Sequence, residues 1–264
     1  MNKKKNTLVW AVYTEGVAEA TSYIVGTMHV RDERAFTFDA LFYEKILACE
    51  VFATEFALDD AKESDVNESM YLQEGQSLKL LIPNKLYNAL NQLLAKRVGM
   101  ELSNFNHFKP IMITNLLTEN ILSNDRMFSL DETLWNFAKE NGKILRGIET
   151  FEEQISVLKS MSLDDQIKGL KDLTKNFSQF RKQLIQMTKL YEKADITELY
   201  KAAKRSSKGG RKLLLYDRNV VMADRIEKMM KRNSVCAAIG AGHLAGKKGV
   251  LKLLKDKGFK VKPA

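Results

Sequence analysis

The run VCAAI at 235–239, followed at once by Gly240-Ala241-Gly242-His243, constrains this chain more than any other segment. An uninterrupted apolar run bounded by glycine reads as a buried β-strand. A matching segment lies near the N-terminus. ATSYIVG at 20–26 is a second strand pattern, and it ends in Gly26-Thr27-Met28-His29. The chain holds only three histidines and 14 glycines, so two Gly-x-x-His matches, each just past an apolar strand, are improbable as coincidence.

Around these two segments the pattern alternates between strands and helices. LVWAVY at 8–13 pairs with 20–26 as an expected β-hairpin. Helical spacing of Phe38, Leu41, Phe42 and Ile46 follows over 33–48, then a short strand from Val51 to Phe56. Pro83 opens a helix over 84–97 and Pro110 a second; Ser129 or Asp131 caps a third. KILRGI at 143–148 is a further strand, and 151–204 reads as an antiparallel helical hairpin broken by SSKGG at 206–210. A helix over 211–231 leads into the 235–239 strand. A helix at 247–257 and a last strand near 259–261 complete the pattern. The expected fold is α/β: a central mixed, mostly parallel sheet with an N-terminal hairpin, flanked by helices. It is expected to be one domain over 1–264, with a long helical insertion at about 60–140 and 151–231.

Composition narrows the class. With 45% hydrophobic and 28% charged residues and three prolines, the 264-residue chain matches a soluble globular protein. The formal charge of +9 raises the question of an anionic partner. Lys and Arg are spread along helical stretches, so solvated helix faces are the first reading and no nucleic-acid partner is expected; recruitment of an anionic partner through the basic surface is the second. Cys49 and Cys236 fall in apolar contexts and read as buried free thiols. No run of about 18 apolar residues is present, so no membrane segment is expected. The run at 8–13 is too short for an export-signal core. The expected location is therefore cytoplasmic, or outside the cell if a signal ahead of Met1 has been trimmed.

Two carboxylates share the placement of the histidines. Glu55 closes VFATE and Glu149 closes LRGIE. In α/β folds functional side chains gather at the C-terminal ends of strands. Four strand ends would then present His29, Glu55, Glu149 and His243 along one sheet edge. Gly26, Gly240 and Gly242 would let the backbone turn sharply there and leave room for a ligand. Two imidazoles and a carboxylate suit Zn, Mn, Co or Fe(II) with a place left for water. Such a metal acidifies the water, and a second carboxylate can take its proton. Glu149 has a competing role as the cap of a helix starting near Thr150. His107, in NFNHFKP, is expected on the surface. Tyr216-Asp217-Arg218-Asn219 sits on a helix just before the second histidine strand. Arg218 can clamp a carboxylate or stabilise an oxyanion, or else form a surface ion pair with Asp217 or Asp224.

Other chemistry is excluded or weak. His-Glu-x-x-His, Cys-x-x-Cys and Gly-x-Ser-x-Gly are absent. Gly240, Gly242 and Ala245 fit a relaxed dinucleotide fingerprint, but too little chain follows to complete that unit. A P-loop ending at Gly246-Lys247 would need glycine at Ala241 and Ser or Thr at Lys248.

Taken in order, LVWAVY…SYIVGTMH, Glu55, SLDETLWNFAKENGKILRGIETFEEQ, YDRNVVMADRIEKM and AAIGAGHLAGKKGVLKLLKDKGFKV resemble the TraB/GumN family over about 8–262. That family is similar in turn to the Tiki membrane-anchored metalloproteases and, more distantly, to erythromycin-esterase-like and ChaN-like proteins. The resemblance implies a single α/β domain and a peptidase-like site dependent on a divalent metal (Mn, Co or Zn). It implies that the two Gly-x-x-His segments serve that site, that the family glutamate falls on Glu55 and that the family arginine falls on Arg218. Glu149 and Gln154 match the "LET…EQ" region, with Ile148 where leucine is usual. The chain as read is expected to depart from many relatives in lacking an export signal and a terminal membrane segment. The reading from residues and resemblance is a metal-dependent hydrolase acting on a peptide or small molecule. The alternative is a non-catalytic protein that holds a ligand in the same pocket.

Overall fold

A computed structural model of the chain describes residues 6–14, 21–60, 70–207 and 210–264. The elements run β1 (Val9–Tyr13), β2 (Ser22–Thr27), α1 (Asp39–Leu47), β3 (Val51–Phe56), α2 (Asn84–Val98), α3 (Pro110–Glu119), α4 (Leu130–Glu140) and β4 (Ile144–Glu149). They continue α5 (Phe151–Lys159), α6 (Leu163–Lys175), α7 (Phe177–Glu192) and α8 (Ile196–Ser206). A π-helix (Lys212–Asp217), α9 (Arg218–Met230), β5 (Val235–Gly240), α10 (Val250–Asp256) and β6 (Lys260–Pro263) close the chain.

Two compact units emerge. One comprises Met1–Asp60, Asp125–Phe151 and Met187–Ala264; the other comprises Ala61–Asn124 and Glu152–Gln186. The second is helical: α2 and α3 pack on α6 and bury Leu90, Leu94, Ile113, Leu117 and Leu170. Helices α4, α8 and α9, placed by sequence within the insertion, belong to the first unit instead.

The first unit holds a six-stranded sheet in the order β4-β3-β5-β2-β1-β6. β4, β3, β5 and β2 are mutually parallel, and β1 runs against both β2 and β6. The sheet is therefore mostly parallel and carries the expected antiparallel pair at 9–13 and 22–27; residues 15–20 between them lie outside the described residues. Central β5 is apolar and buried from Val235 to Ile239, as a strand covered on both faces requires. Helix α4 packs on β3 and β4, while α9 packs on β4 and β5. The core joins Val9, Ile24, Val25, Phe52, Ala53 and the β5 residues to Phe42, Leu134, Ile226 and Leu254.

Several boundaries differ from the sequence reading. The hairpin expected over 151–204 is four helices. Its breaks are local chemistry: Ser162 and Asp195 accept backbone N–H groups as N-caps, and Ala194 adopts a left-handed φ of 50°. Ser129 caps α4 in a full capping box with Glu132, which releases Asp131 from that task.

Register puts the two Gly-x-x-His segments side by side. Gly26 stands opposite Ile239 and Thr27 opposite Gly240. The glycines are not there for sharp turns. Gly240 has φ −52° and ψ 130°, and neither it nor Gly26 has a positive φ. Close approach is the reason. A Cβ on Gly26 would lie 2.6 Å from Leu244 Cδ1 and 3.2 Å from Ala241 Cβ, so the second segment packs directly on the first. Tyr191, fully buried, donates its hydroxyl to the Gly26 carbonyl at 2.8 Å. Gly26→Ala is expected to cost about 1–3 kcal/mol of stability by overpacking. Urea unfolding measures it, and a midpoint equal to wild type would show that the contact is slack.

Candidate functional site

The site grows from the C-terminal ends of β3, β4 and β5. Glu55 lies one residue from the end of β3, with its side chain 22% exposed. Its Oε1 accepts the Gly240 N–H at 2.8 Å, and its Oε2 accepts Arg218 Nη2 at 2.7 Å. A side chain at position 240 would crowd Oε1, since a Cβ there would stand 3.1 Å from it. Glu149 closes β4 and is 5% exposed. It receives Arg218 through Nε at 3.0 and 3.1 Å and through Nη2 at 2.6 Å. One guanidinium therefore serves both strand-end carboxylates, in the fork geometry that lysine cannot supply.

Arg218 is neither of the surface pairings considered from sequence. Asp217 pairs with Lys212 and Asp224 with Lys257. The π-helix immediately before Arg218 is a local widening of the helix of the kind that recurs at functional sites. Past it, consecutive residues of α9 do different work: Arg218 meets the carboxylates and Asn219 meets His243. Arg225, two turns on, ties α9 to the Ile148 carbonyl at 2.9 Å.

His243 sits in a 3-10 turn just past β5, with its side chain 13% exposed. Asn219 is fully buried. Its Nδ2 donates to the Lys248 carbonyl at 2.7 Å, which orients the amide and points Oδ1 at His243 Nδ1, 2.6 Å away. An acceptor at Nδ1 demands a proton there, so in the neutral ring Nε2 carries the lone pair. Nε2 faces Glu55 Oε1 at 4.0 Å. Two acceptors look at each other across that gap.

Electrostatics fix the charge states. Burial pushes His243 below the ordinary histidine value, opposed by Glu55 and Glu149 and assisted by Arg218. Burial works to raise Glu55, but it is outweighed and Glu55 is held below the usual carboxylate range. A charged His243 would contribute to that, but the ring is neutral near pH 7. Arg218 and the Gly240 N–H are then what keep Glu55 ionised. For Arg218, burial works against the charge, and Glu149 and Glu55 overcome it. Two carboxylates thus share one guanidinium.

His29 lies beyond the end of β2 and is more open, with its side chain 61% exposed. Its Nδ1 stands 3.4 Å from Asp131 Oδ2, and Thr27, within the same Gly-x-x-His segment, donates to Asp131 Oδ1 at 2.7 Å. The structure thus joins Glu55, Glu149, Arg218, Asn219 and His243 through direct contacts. It places His29 at the same sheet edge through Gly26, on which Ala241 and Leu244 pack. Among the described residues no group of three or more His, Cys, Asp or Glu side chains is arranged to hold a metal ion. Arg218 takes the space between the two carboxylates that the sequence pattern left open. His107 is exposed in the helical unit, with Nδ1 3.2 Å from the Gln76 carbonyl. Cys49 and Cys236 are both buried free thiols. Asp131 went unread as a site residue, although the capping box Ser129-x-x-Glu132 was visible and left that carboxylate without a capping job.

Fold and site together define a class: an α/β protein with two Gly-x-x-His segments on neighbouring parallel strands and an arginine-bridged pair of strand-end glutamates. The TraB/PrgY/gumN family pattern matches residues 8–263, and the chain belongs to that family. It is also similar to a protein of Danio rerio called Metalloprotease TIKI2, at 24% identity over an alignment covering 98% of this chain and 61% of that protein. The chain thus spans less than two thirds of that relative's length. No solved structure matches the chain significantly. Among the described residues no helix is long and apolar enough to cross a membrane.

Two outcomes follow from the charge arrangement. Arg218→Ala removes the guanidinium that bridges buried Glu149 and Glu55 and is expected to cost about 3 kcal/mol. Adding Glu149→Gln should recover part of that loss; strictly additive penalties in the double-mutant cycle would mean the pair does not interact. His243 is a base whose proton affinity falls on folding. Between its ordinary value of 6.5 and its lower native value, the unfolded chain binds more protons, so acidification through that window lowers stability. The metal-free chain should therefore lose stability as the pH falls below about 6.5, and His243→Gln should remove part of that slope. An identical slope in the variant would contradict a buried neutral ring.

Proposed function

We propose that this chain is a metal-dependent hydrolase acting on peptide-like bonds at the β3–β5 strand ends. The observation that carries the reading is the facing pair His243 Nε2 and Glu55 Oε1, 4.0 Å apart. Each is an acceptor, each is held by a neighbour, and a cation between them would relieve the meeting of two lone pairs. Two carboxylates sharing one guanidinium favour that cation. Family membership and the likeness to Metalloprotease TIKI2 support the same reading. His29 is proposed as the further ligand, and Mn, Co or Zn as the metal.

The residues then divide the work. Asn219 fixes the tautomer of His243 and keeps Nε2 available. Glu55, ionised by Arg218 and Gly240, suits the role of ligand better than that of proton carrier. Glu149 holds Arg218 in place. Among the described residues Arg218 Nη1 has no hydrogen-bond partner, and it is the guanidinium nitrogen left to meet an oxygen that gains charge during acyl transfer. A bound divalent cation would supply an acidified water and polarise the scissile carbonyl.

The test compares the metal content of the wild-type chain, purified without chelators, with that of His29→Ala/His243→Ala. A stoichiometric metal in the first and its loss in the second is expected; equal content removes the metal reading. A peptide mixture incubated with the metal-loaded chain, and analysed by mass spectrometry, should show cleavage that His243→Ala abolishes. Retained metal with no cleavage would instead favour the alternative of a pocket that binds a peptide without turnover.

A further inference from the structure

The two strand-end histidines differ in exposure, yet each ring is approached at Nδ1 by a polar residue of a helix. For His243 that residue is Asn219 of α9, with Oδ1 at 2.6 Å. For His29 it is Asp131 of α4, with Oδ2 at 3.4 Å. Three observations give the Asp131 contact meaning. Its carboxylate is 14% exposed, and Oδ1 is committed to the Thr27 hydroxyl at 2.7 Å. Oδ2 is shielded from solvent and has no hydrogen-bond partner among the described residues. The capping work at the start of α4 is done by Ser129 and Glu132.

A buried carboxylate oxygen without a donor is costly. The ring atom facing it is Nδ1 of His29, and that ring is open enough to rotate the short way needed to close a hydrogen bond. We propose that Asp131 is the positioning residue of His29: it takes the Nδ1 proton, fixes the ring as the Nδ1–H tautomer and leaves the Nε2 lone pair outward. The Thr27–Asp131 bond makes this specific to the Gly-x-x-His segment, because it ties the carboxylate to the backbone of the same strand end. Ring nitrogens that bind metal commonly have the other N–H held in this way. The positioning role rests on the proposed use of His29 as a ligand, whereas the tautomer itself does not.

The experiment uses the full-length, metal-free, ¹⁵N-labelled chain at a pH where the imidazoles are neutral, and reads long-range ¹H–¹⁵N correlations of the three rings. His29 and His243 are both expected as Nδ1–H tautomers. Asp131→Ala should shift His29 toward the Nε2–H form that a free imidazole prefers and leave His243 unchanged, so the His243 pattern also reports that the variant is folded. Thr27→Val, which keeps Asp131, should retain the Nδ1–H form. A wild-type His29 in the Nε2–H form overturns the proposal, and this reading holds even if Asp131→Ala fails to fold. A folded Asp131→Ala chain with an unchanged His29 tautomer overturns it as well. Calorimetric titration with Zn²⁺ or Mn²⁺ adds the functional arm, with affinity expected to fall about 10–100-fold in Asp131→Ala. If the wild-type chain takes up no metal while the tautomers behave as stated, the metal reading fails and the Asp131–His29 contact stands.

Discussion

The shared guanidinium of Arg218 is the interaction on which the site depends. It joins the ends of β3 and β4 to the first residue of α9, and it satisfies one carboxylate that is almost fully buried and one that is mostly so. Two glutamates side by side at a sheet edge repel each other and lose hydration. Without a fixed cation between them, one would take up a proton or move into solvent. With Arg218 present, Glu55 stays ionised and its other oxygen can receive the Gly240 N–H. That bond places the start of the second Gly-x-x-His segment, and from it the 3-10 turn that carries His243.

Close packing does the remaining positioning. Because Gly26 has no side chain, Ala241 and Leu244 lie directly on β2, and the segments after β2 and β5 stay at the same edge instead of diverging. The sheet explains why this edge is polar and the rest is not. Strands β5 and β3 are buried along most of their length, and the charged side chains of the site gather where the strands end. Asp131, in the first turn of α4, and Asn219, within the helix that runs on from the π-helix, reach the two imidazoles.

Much of this was legible in the chain. The apolar run at 235–239 demanded a buried strand, and alternation of strand and helix patterns pointed to a mostly parallel sheet. Two Gly-x-x-His segments and two strand-closing glutamates marked one sheet edge. What periodicity could not supply was the ends of polar helices. The breaks near Ser162 and Asp195 depend on single capping side chains inside a continuous helical pattern, and a pattern of spacing passes over them.

The sequence by itself determined which residue types stand at the strand ends and that glycine accompanies them at 26 and 240, since those are matters of local pattern and spacing. Only the tertiary structure decided what each does. Register set Gly26 against the second segment, so the glycines serve contact and not turning. The widened π-helix before Arg218 leads into the residues that meet Glu55, Glu149 and His243, which turned an ambiguous arginine into the clamp between two glutamates. Asp131, read from the chain only as a cap, became the neighbour of His29 because the distance between residues 29 and 131 is closed by strand order and helix packing. Long-range proximity of that kind leaves no trace in local sequence.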